Sequence, residues 1–362
     1  MGYAGVRGGH EAILAAERLV RRGRTSGASG WLGIDQITER LRLAVDRVLG
    51  EGGLWAPDLG ARALRQAEGD VQEAAQLLRA HRSTLPRLDY SEPVHADELR
   101  VSRRISPAFR NPPGSQILGR TLDYVGRLLD LMPDEQAKVS RDEPPARQEP
   151  EPEPADGTDP RRPPRLLGVL RSMDLVVERR GEDDPEPYDI TRAPVRPGVP
   201  RSARLSAMAR AETGALVHLW YSQTFQPTKA QHEFPGEVRH GTLPVRVRHP
   251  LTGRPVTVAE VRVTEVETVD DLDGAEEDRT RLDLGYGMCF GHNERKAIAM
   301  AGLDLLVHRG GDRTGLEQEV LTTLDGIEAS GFLEHLKLPH YVDFRSLLDR
   351  KRAVREAREE AR

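Results

Sequence analysis

Apolar residues recur every three or four positions through the first eighty residues, which is the spacing of one face of an α-helix. Residues 9–22 carry such a stripe, and a second one runs through residues 37–48. Pro57 stands where a third helix begins, and Asp70 with Glu73 has the spacing of a capping box before a fourth. This region is therefore predicted to be a group of short helices packed together.

The pattern becomes irregular in the next stretch and then loses its apolar residues. Residues 121–132 are predicted as a further helix. Residues 133–164 hold nine prolines among acidic and basic side chains, and such a composition buries too little surface to offset the entropy of ordering. We predict a disordered insert there. Residues 166–177 regain apolar character as a helix followed by a strand, and residues 201–212 form another helix.

Strand signals begin at residue 215. Residues 216–221 are predicted as a first strand, and Leu243, Val245 and Val247 alternate as a second, which Pro244 confines to a sheet edge. A third strand follows over residues 256–266, where five valines change phase and indicate a β-bulge.

A glycine-rich stretch precedes the last apolar helix. Gly285, Gly287 and Gly291 are predicted to form a flexible turn, after which Asn293 caps a buried helix that runs to about His308. Such a turn can expose backbone N–H groups to a phosphate. The glycine spacing matches neither the Walker pattern nor the dinucleotide fingerprint, so a tight structural turn is the simpler interpretation.

These elements predict an α+β protein with a helical N-terminal half, a strand-rich middle and a helical C-terminal part. We divide it into a helical domain (1–132), the proline-rich insert (133–164), an α+β domain (165–345) and a charged tail (346–362). The tail carries acid–base pairs at helical spacing and is predicted to be a solvated helix.

Composition narrows the functional classes. The net charge of −5 does not favour nucleic acid or an anionic membrane as a partner. A single cysteine, Cys289, cannot form an internal disulfide, and no apolar run approaches the ~20 residues that span a bilayer. The N-terminus lacks the pattern of a signal peptide. A cytoplasmic protein is expected.

An arginine-rich stretch lies between residues 79 and 110. Guanidinium groups suit bidentate phosphate recognition, and arginine is also enriched at protein interfaces. A polyphosphate site and a solvated or subunit-facing surface therefore both fit. The seven arginines are Arg79, Arg82, Arg87, Arg100, Arg103, Arg104 and Arg110.

Two histidines near the C-terminus, His335 and His340, flank Pro339. Proline breaks a helix and bends the chain, so the two imidazoles can converge from different backbone directions. Zinc takes about four ligands, and a partner chain would have to supply the rest. The alternative is that both histidines hydrogen-bond locally within a buried turn.

Several blocks together resemble a known family. GYGMCFGHNERKAIAMAGLD followed by GFLEHLKLPHYVDF resembles the I subunit of the phosphonate carbon–phosphorus lyase core complex. The N-terminal blocks VRGGHEAILAAERL, AEGDVQEAAQLLRAHRSTLPRL and RRISPAFRNPPGSQILGRTLDY are similar to the same family and stand in the same order. The resemblance covers about residues 3–130 and 205–345. His292 departs from the family, in which we expect glutamine, and the insert is longer than the family's.

The resemblance implies a transferase in phosphonate catabolism. With the G, H and L subunits, the family's I subunit displaces adenine from ATP by an alkylphosphonate to give ribose 1-phosphonate 5-triphosphate. Alone it acts as a purine nucleosidase. It forms the homodimeric centre of a hetero-oligomer, and the histidines matching His335 and His340 ligate zinc shared with the J subunit. The alternatives are a non-catalytic, zinc-sharing scaffold of the same complex and a self-contained zinc hydrolase.

This chemistry makes demands on particular residues. The triphosphate requires cationic groups or backbone N–H groups, for which the candidates are Arg103, Arg104, Arg110, Arg295 and Lys296. Positive charge at the ribose C1 calls for a carboxylate. Glu294 and Glu233 are the candidates for that role, although each also fits a surface ion pair or a helix cap.

Overall fold

The computed structural model describes residues 9–133, 162–177, 186–224, 234–271, 280–309, 314–328 and 341–360. The chain forms two compact units, each assembled from separated segments. The first unit takes Met1–Leu85, Tyr188–Leu219 and Thr314–Arg362, and the second takes Pro86–Pro187 and Trp220–Arg313. The domain division predicted from the sequence uses contiguous ranges instead.

The helices alternate with four strands in a mixed order, which confirms the α+β class. The helices are α1 (Gly9–Thr25), α2 (Ile34–Arg40), α3 (Arg42–Gly52), α4 (Pro57–Gln66), α5 (Val71–Thr84), α6 (Leu166–Ser172), α7 (Arg201–Arg210), α8 (Thr213–Thr224), α9 (Glu294–Arg309), α10 (Thr314–Thr322) and α11 (Tyr341–Glu360). The strands are β1 (Arg100–Ile105), β2 (Phe234–Arg248), β3 (Pro255–Asp271) and β4 (Leu282–Phe290).

The first unit is built on the helices that the periodic pattern predicts. Apolar side chains of α2 to α5, among them Val48, Leu49 and Leu78, form a common core. Asp70 caps α5 by accepting hydrogen bonds from the amides of Gln72 and Glu73, as its position in the sequence predicts. The predicted α1 and the predicted charged helix α11 are also present.

The second unit contains an antiparallel sheet in the order β1-β2-β3-β4. The register between β2 and β3 shifts at Val258, which confirms the bulge inferred from the valine phase. Pro244 lies on a stretch of β2 that extends beyond β1, whose last partner is Thr242. Pro244 therefore occupies a local edge, as predicted, although β2 is a central strand.

Helix α9 packs closely on β4 through two glycines. A Cβ at Gly285 would lie 2.0 Å from the carbonyl oxygen of Ala301, and one at Gly287 would lie 2.3 Å from that of Ala297. Both glycines belong to a strand, so their assignment to a flexible turn was wrong. Their role is to let a helix backbone approach the sheet, and only Gly291 makes the turn.

Residues 216–221 were predicted as a strand and lie instead in α8. The Glu212 carboxylate accepts hydrogen bonds from the amides of Gly214 and Ala215 at 2.8 and 2.6 Å, and it thereby caps a helix. This cap and the packing of Leu216, which is fully buried, outweigh the strand propensity of the aromatic and β-branched residues.

Residues 121–132 were predicted as a helix and are irregular. Their apolar side chains are exposed, so no packing supports helix formation, and an isolated helix of this length is marginal in water. Among the helices of the described residues, none combines the length and the apolar character needed to cross a membrane.

Candidate functional site

A β-bulge at Ser102 directs the two consecutive arginines of β1. The register against β2 shifts at this residue, after which Arg103 pairs with His240 and Arg104 with Arg239. Neighbouring residues of a strand point to opposite faces of the sheet. Arg103 therefore lies on the face that α9 covers, and Arg104 lies on the other.

The turn between β4 and α9 is fixed from β3. Gly291 has a φ of 73°, in the left-handed region that suits glycine. The hydroxyl of buried Thr264 donates to the Gly291 carbonyl at 2.7 Å and accepts from the Asn293 amide at 3.1 Å. The Asn293 carbonyl in turn accepts the first helical hydrogen bond, from Ala297 at 3.0 Å. One hydroxyl therefore sets the position at which α9 begins.

Arg103 joins β1, the start of α9 and a loop. Its Nε donates to Glu294 Oε1 at 2.5 Å, its Nη1 donates to the Leu118 carbonyl at 2.7 Å, and its Nη2 pairs with Asp123. The Arg103 side chain is only 5% exposed, whereas that of Asp123 is 50% exposed. The guanidinium is thus buried, while its partner Asp123 is half exposed to solvent.

Glu294 is held as an anion. Burial alone would raise its pKa, but the neighbouring His292 and the hydrogen bond from Arg103 outweigh burial and lower the pKa to about 2. The nearest approach of His292 Nε2 to Glu294 Oε1 is 3.6 Å. This side chain is therefore a carboxylate over the whole neutral range.

Two imidazole rings stack beside this carboxylate. The ring centroids of His240 and His292 are 4.5 Å apart, with 21° between the planes. His240 Nδ1 lies 3.2 Å from Thr264 Oγ1. We call Arg103, His240, His292 and Glu294 the Arg103 cluster.

The opposite face of the sheet carries a second charged group. We call it the Arg104 cluster, and it comprises Arg104, Arg165, Arg239, Glu237, Glu265, Glu267 and Tyr286. Arg104 is 1% exposed and donates to Glu237 Oε1 at 2.6 Å. Its remaining hydrogen bonds go to the carbonyls of Pro113, Ser115 and Pro164. Protein atoms therefore engage all three nitrogens of this guanidinium.

The remaining carboxylates of the Arg104 cluster crowd one another. Glu265 pairs with Arg239, and both Glu265 and Glu267 pair with Arg165. Burial raises the pKa of Glu267 to about 7, with Arg165 opposing and Glu265 reinforcing that rise. Burial and the Glu265 charge also raise the pKa of Tyr286.

The residues predicted for the site fall in different places. Arg103 and Glu294 come together. Arg104 lies on the other face, while Arg110 and Arg295 are exposed and Lys296 is buried in α9. Their assignment to a triphosphate stays a prediction. Three further candidates, Glu233, His335 and His340, lie outside the described residues.

Sequence reasoning missed several members of these clusters. His240 and Thr264 are buried, but their strands also carry Arg239, Arg262 and Glu265, so no break in an apolar run singled them out. Asp123 and Arg165 gave no signal either, since single charged residues beside apolar ones, as in TLDYV and PPRLL, are ordinary in a chain. Within the described ranges, no group of three or more His, Cys, Asp or Glu side chains could hold a metal ion.

The Arg103 cluster offers two chemical functions. A fixed carboxylate can stabilise positive charge that develops on a bound molecule. An imidazole nitrogen can accept or donate a proton. The Arg104 cluster does not offer a carboxylate to solvent, because Glu237, Glu265 and Glu267 are at most 4% exposed.

Comparison with known proteins covers nearly the whole chain. Residues 2–358 match the family described as bacterial phosphonate metabolism protein (PhnI). The putative C-P lyase subunit protein HtxH of Stutzerimonas stutzeri is 41% identical, across 98% of this chain and 96% of the relative.

Two further relatives bear the name alpha-D-ribose 1-methylphosphonate 5-triphosphate synthase subunit PhnI. The protein from Rhizobium meliloti (strain 1021) is 39% identical across 98% of this chain and 95% of the relative. The protein from Escherichia coli (strain K12) is 39% identical, with 96% of each chain covered. The chain therefore belongs to the PhnI family of bacterial phosphonate metabolism proteins.

Proposed function

We propose that this chain is a subunit of an alpha-D-ribose 1-methylphosphonate 5-triphosphate synthase. The observation that carries the proposal is the match, end to end and at 39% identity, to two relatives named for that role. The reaction that we assign is the displacement of adenine from ATP by an alkylphosphonate.

The bond changes of this reaction set the demands on the site. The bond between the ribose C1 and the adenine nitrogen breaks, and its electron pair leaves with adenine, which takes up a proton. A phosphonate oxygen forms the new bond to C1. With water in place of the phosphonate, the same steps hydrolyse the nucleotide, which is the purine nucleosidase activity that we propose for the chain alone.

The Arg103 cluster is our candidate for the ribose end of the site. The ionised Glu294 would face the positive charge that develops at C1. His292, 3.6 Å from Glu294, and His240, stacked on it, could pass a proton towards the leaving base. Arg103 would hold Glu294 in place as a positioning residue.

The triphosphate needs cations that are not already saturated. Arg295 and Arg110 are exposed, so their guanidinium groups can reach a solvent-borne ligand. Arg104 is the weakest of the predicted candidates, because Glu237 and three carbonyls already occupy it.

The assembly and the metal belong to the same proposal. We propose a cytoplasmic homodimer that associates with the G, H, J and L subunits. His335 and His340 would contribute zinc ligands that the J subunit completes. Both histidines lie outside the described residues. The bond changes proposed above do not involve zinc.

The test is the release of free adenine from ATP by the purified chain, with and without methylphosphonate and the other subunits. If the chain is catalytically active, purine release should follow it through successive purification steps. The phosphonate-dependent product should also appear in the assembled complex.

The contrary result is purine release that fades as contaminants are removed, with no loss of product when this chain is omitted from the complex. That outcome would favour a non-catalytic scaffold. Zinc analysis of the same samples tests the remaining alternative, a self-contained zinc hydrolase. That alternative would show tight, stoichiometric zinc in the isolated chain.

A further inference from the structure

A run of large apolar side chains is exposed between residues 118 and 132 of the second unit. Leu128, Leu129 and Leu131 are 89%, 83% and 80% exposed. Single exposed apolar residues are ordinary, whereas a contiguous group marks an interaction site. The eight apolar residues of this segment are Leu118, Leu122, Tyr124, Val125, Leu128, Leu129, Leu131 and Met132.

The order of these residues is that of an amphipathic helix. Within residues 122–132 one stripe alternates steps of three and four residues through Leu122, Val125, Leu129 and Met132. A second stripe, Tyr124, Leu128 and Leu131, lies beside it. At 100° per residue the two stripes cover about half of the helix circumference. The charged residues Asp123, Arg127 and Asp130 all fall on the other half.

The two ends of this helix are already marked in the structure. Thr121 Oγ1 accepts a hydrogen bond from the Asp123 amide at 3.1 Å, the contact of an N-cap residue. The Val125 amide donates to the Leu122 carbonyl at 3.2 Å and so closes a first turn. Pro133 follows the last apolar residue and stops a helix there.

A helix of eleven residues requires an apolar surface against which to pack. Isolated helices of this length are marginal in water, and none of the eight apolar side chains of the segment is buried. The segment thus has the cap, the periodicity and the stop signal of a helix, and within the described ranges no apolar surface covers it.

We infer that residues 122–132 fold into a helix on binding an apolar groove of a different polypeptide, as a helix-in-groove ligand. A pair of such helices from two copies of this chain would bury only a narrow seam. An apolar arc of half the circumference instead fits a groove with two walls. This inference rests on the proposed function to the extent that the groove belongs to another subunit of the synthase.

The base of the segment is attached to the Arg103 cluster. Arg103 donates to the Leu118 carbonyl and pairs with Asp123, while the same guanidinium holds Glu294. Asp123 lies on the polar half of the inferred helix, so the ion pair is compatible with helix formation. Partner binding would therefore order a segment that is directly bonded to the site.

The experiment is amide hydrogen exchange on the full chain, alone and assembled with the G, H and J subunits of the same organism. We expect fast exchange of amides 125–132 in the chain alone and about a hundredfold slower exchange in the complex. Leu129→Asp should weaken assembly at least about tenfold, as the loss of an interface anchor does. The matched control Arg127→Asp, on the polar half, should stay within about twofold.

Both substituted side chains are exposed, so both variants should unfold at the wild-type temperature. A complex that assembles normally while these amides remain unprotected would overturn this inference and leave the proposed function intact. Protection that appears in the chain alone with rising concentration would point to a second copy and also overturn it. Failure to assemble with any subunit would overturn both proposals.

Discussion

The two faces of the sheet carry the same kind of interaction in different surroundings. On one face Arg104 pairs with Glu237, and each side chain is 1% exposed. On the other face Arg103 pairs with Glu294, which is 17% exposed, and with Asp123, which is half exposed. Two neighbouring arginines of β1 therefore each pair with a carboxylate. The Arg104–Glu237 pair is sealed from solvent, and the Arg103–Glu294 pair is partly open to it.

The difference teaches how to separate a structural charge from a functional one. The Arg104 cluster sets three arginines against three glutamates, and backbone carbonyls take up the remaining hydrogen bonds of Arg104. Breaking such a buried pair is costly, because it leaves an uncompensated charge. In the Arg103 cluster the carboxylate keeps its charge and also has an outlet to solvent, which is the condition for acting on a ligand.

The largest effect on stability is expected from Arg104→Met, which leaves Glu237 buried without its hydrogen-bonded cation and with only Arg239, 3.9 Å away, as a cationic neighbour. We expect a loss of about 3–5 kcal/mol in the free energy of unfolding, measured by urea denaturation. Arg100→Met is the matched control, since Arg100 pairs with Glu260 at the exposed end of the same strand. The control should lose less than about 1 kcal/mol. Equal losses in the two variants would refute the distinction between sealed and open pairs.

A smaller effect is expected from Gly287→Ala, which acts on the face that holds α9. The new methyl group would meet the Ala297 carbonyl oxygen at 2.3 Å, and the helix would have to move. We expect about 1–3 kcal/mol of destabilisation, again from urea denaturation. Gly168→Ala in α6, where a Cβ meets nothing within 4 Å, should be neutral or slightly stabilising. A neutral Gly287→Ala would contradict the close packing.

A third effect is expected in the pH dependence of stability, with opposite signs on the two faces. The folded pKa of Glu294 is lowered to about 2, so its contribution is present above the unfolded pKa near 4.5 and is lost as the pH falls towards 2. The folded pKa of Glu267 is raised to about 7. Its contribution is present below about pH 4.5 and is lost as the pH rises through 7.

These opposite pH dependences can be tested by measuring the free energy of unfolding of Glu294→Gln, Glu267→Gln and wild type between pH 2.5 and 8. The stability advantage of wild type over Glu294→Gln should shrink as the pH falls below 4.5. Relative to Glu267→Gln, wild type should lose stability between pH 4.5 and 7. Parallel curves for all three proteins would show that neither carboxyl has a shifted pKa.

The sequence was informative wherever a local pattern and its packing agree. The N-terminal helices, the bulge at Val258 and the buried helix α9 follow from periodicity and phase alone. Residues 121–132 have the helical pattern but no packing surface, and the prediction failed there. Residues 216–221 have strand propensity but form a helix. The residue that caps this helix, Glu212, lies before the stretch from which the strand was predicted.

The site could be predicted only in part, for a similar reason. Arg103 and Glu294 were both candidates, but their contact joins residues 191 positions apart. Whether Arg103 or Arg104 faces α9 depends on the bulge at Ser102, which leaves no mark in the periodicity of a six-residue strand. His240 was overlooked because a histidine in a strand is most often a structural residue.

The most direct test of the account is the activity of Glu294→Gln in the assembled complex, measured as phosphonate-dependent release of adenine from ATP. Glu260→Gln is the matched control, because Glu260 is a paired but exposed carboxylate of the same sheet. If the open face acts on the substrate, Glu294→Gln should lose about a hundredfold in turnover while Glu260→Gln keeps wild-type activity. Wild-type turnover in a correctly folded Glu294→Gln complex would contradict the assignment of this face to the reaction.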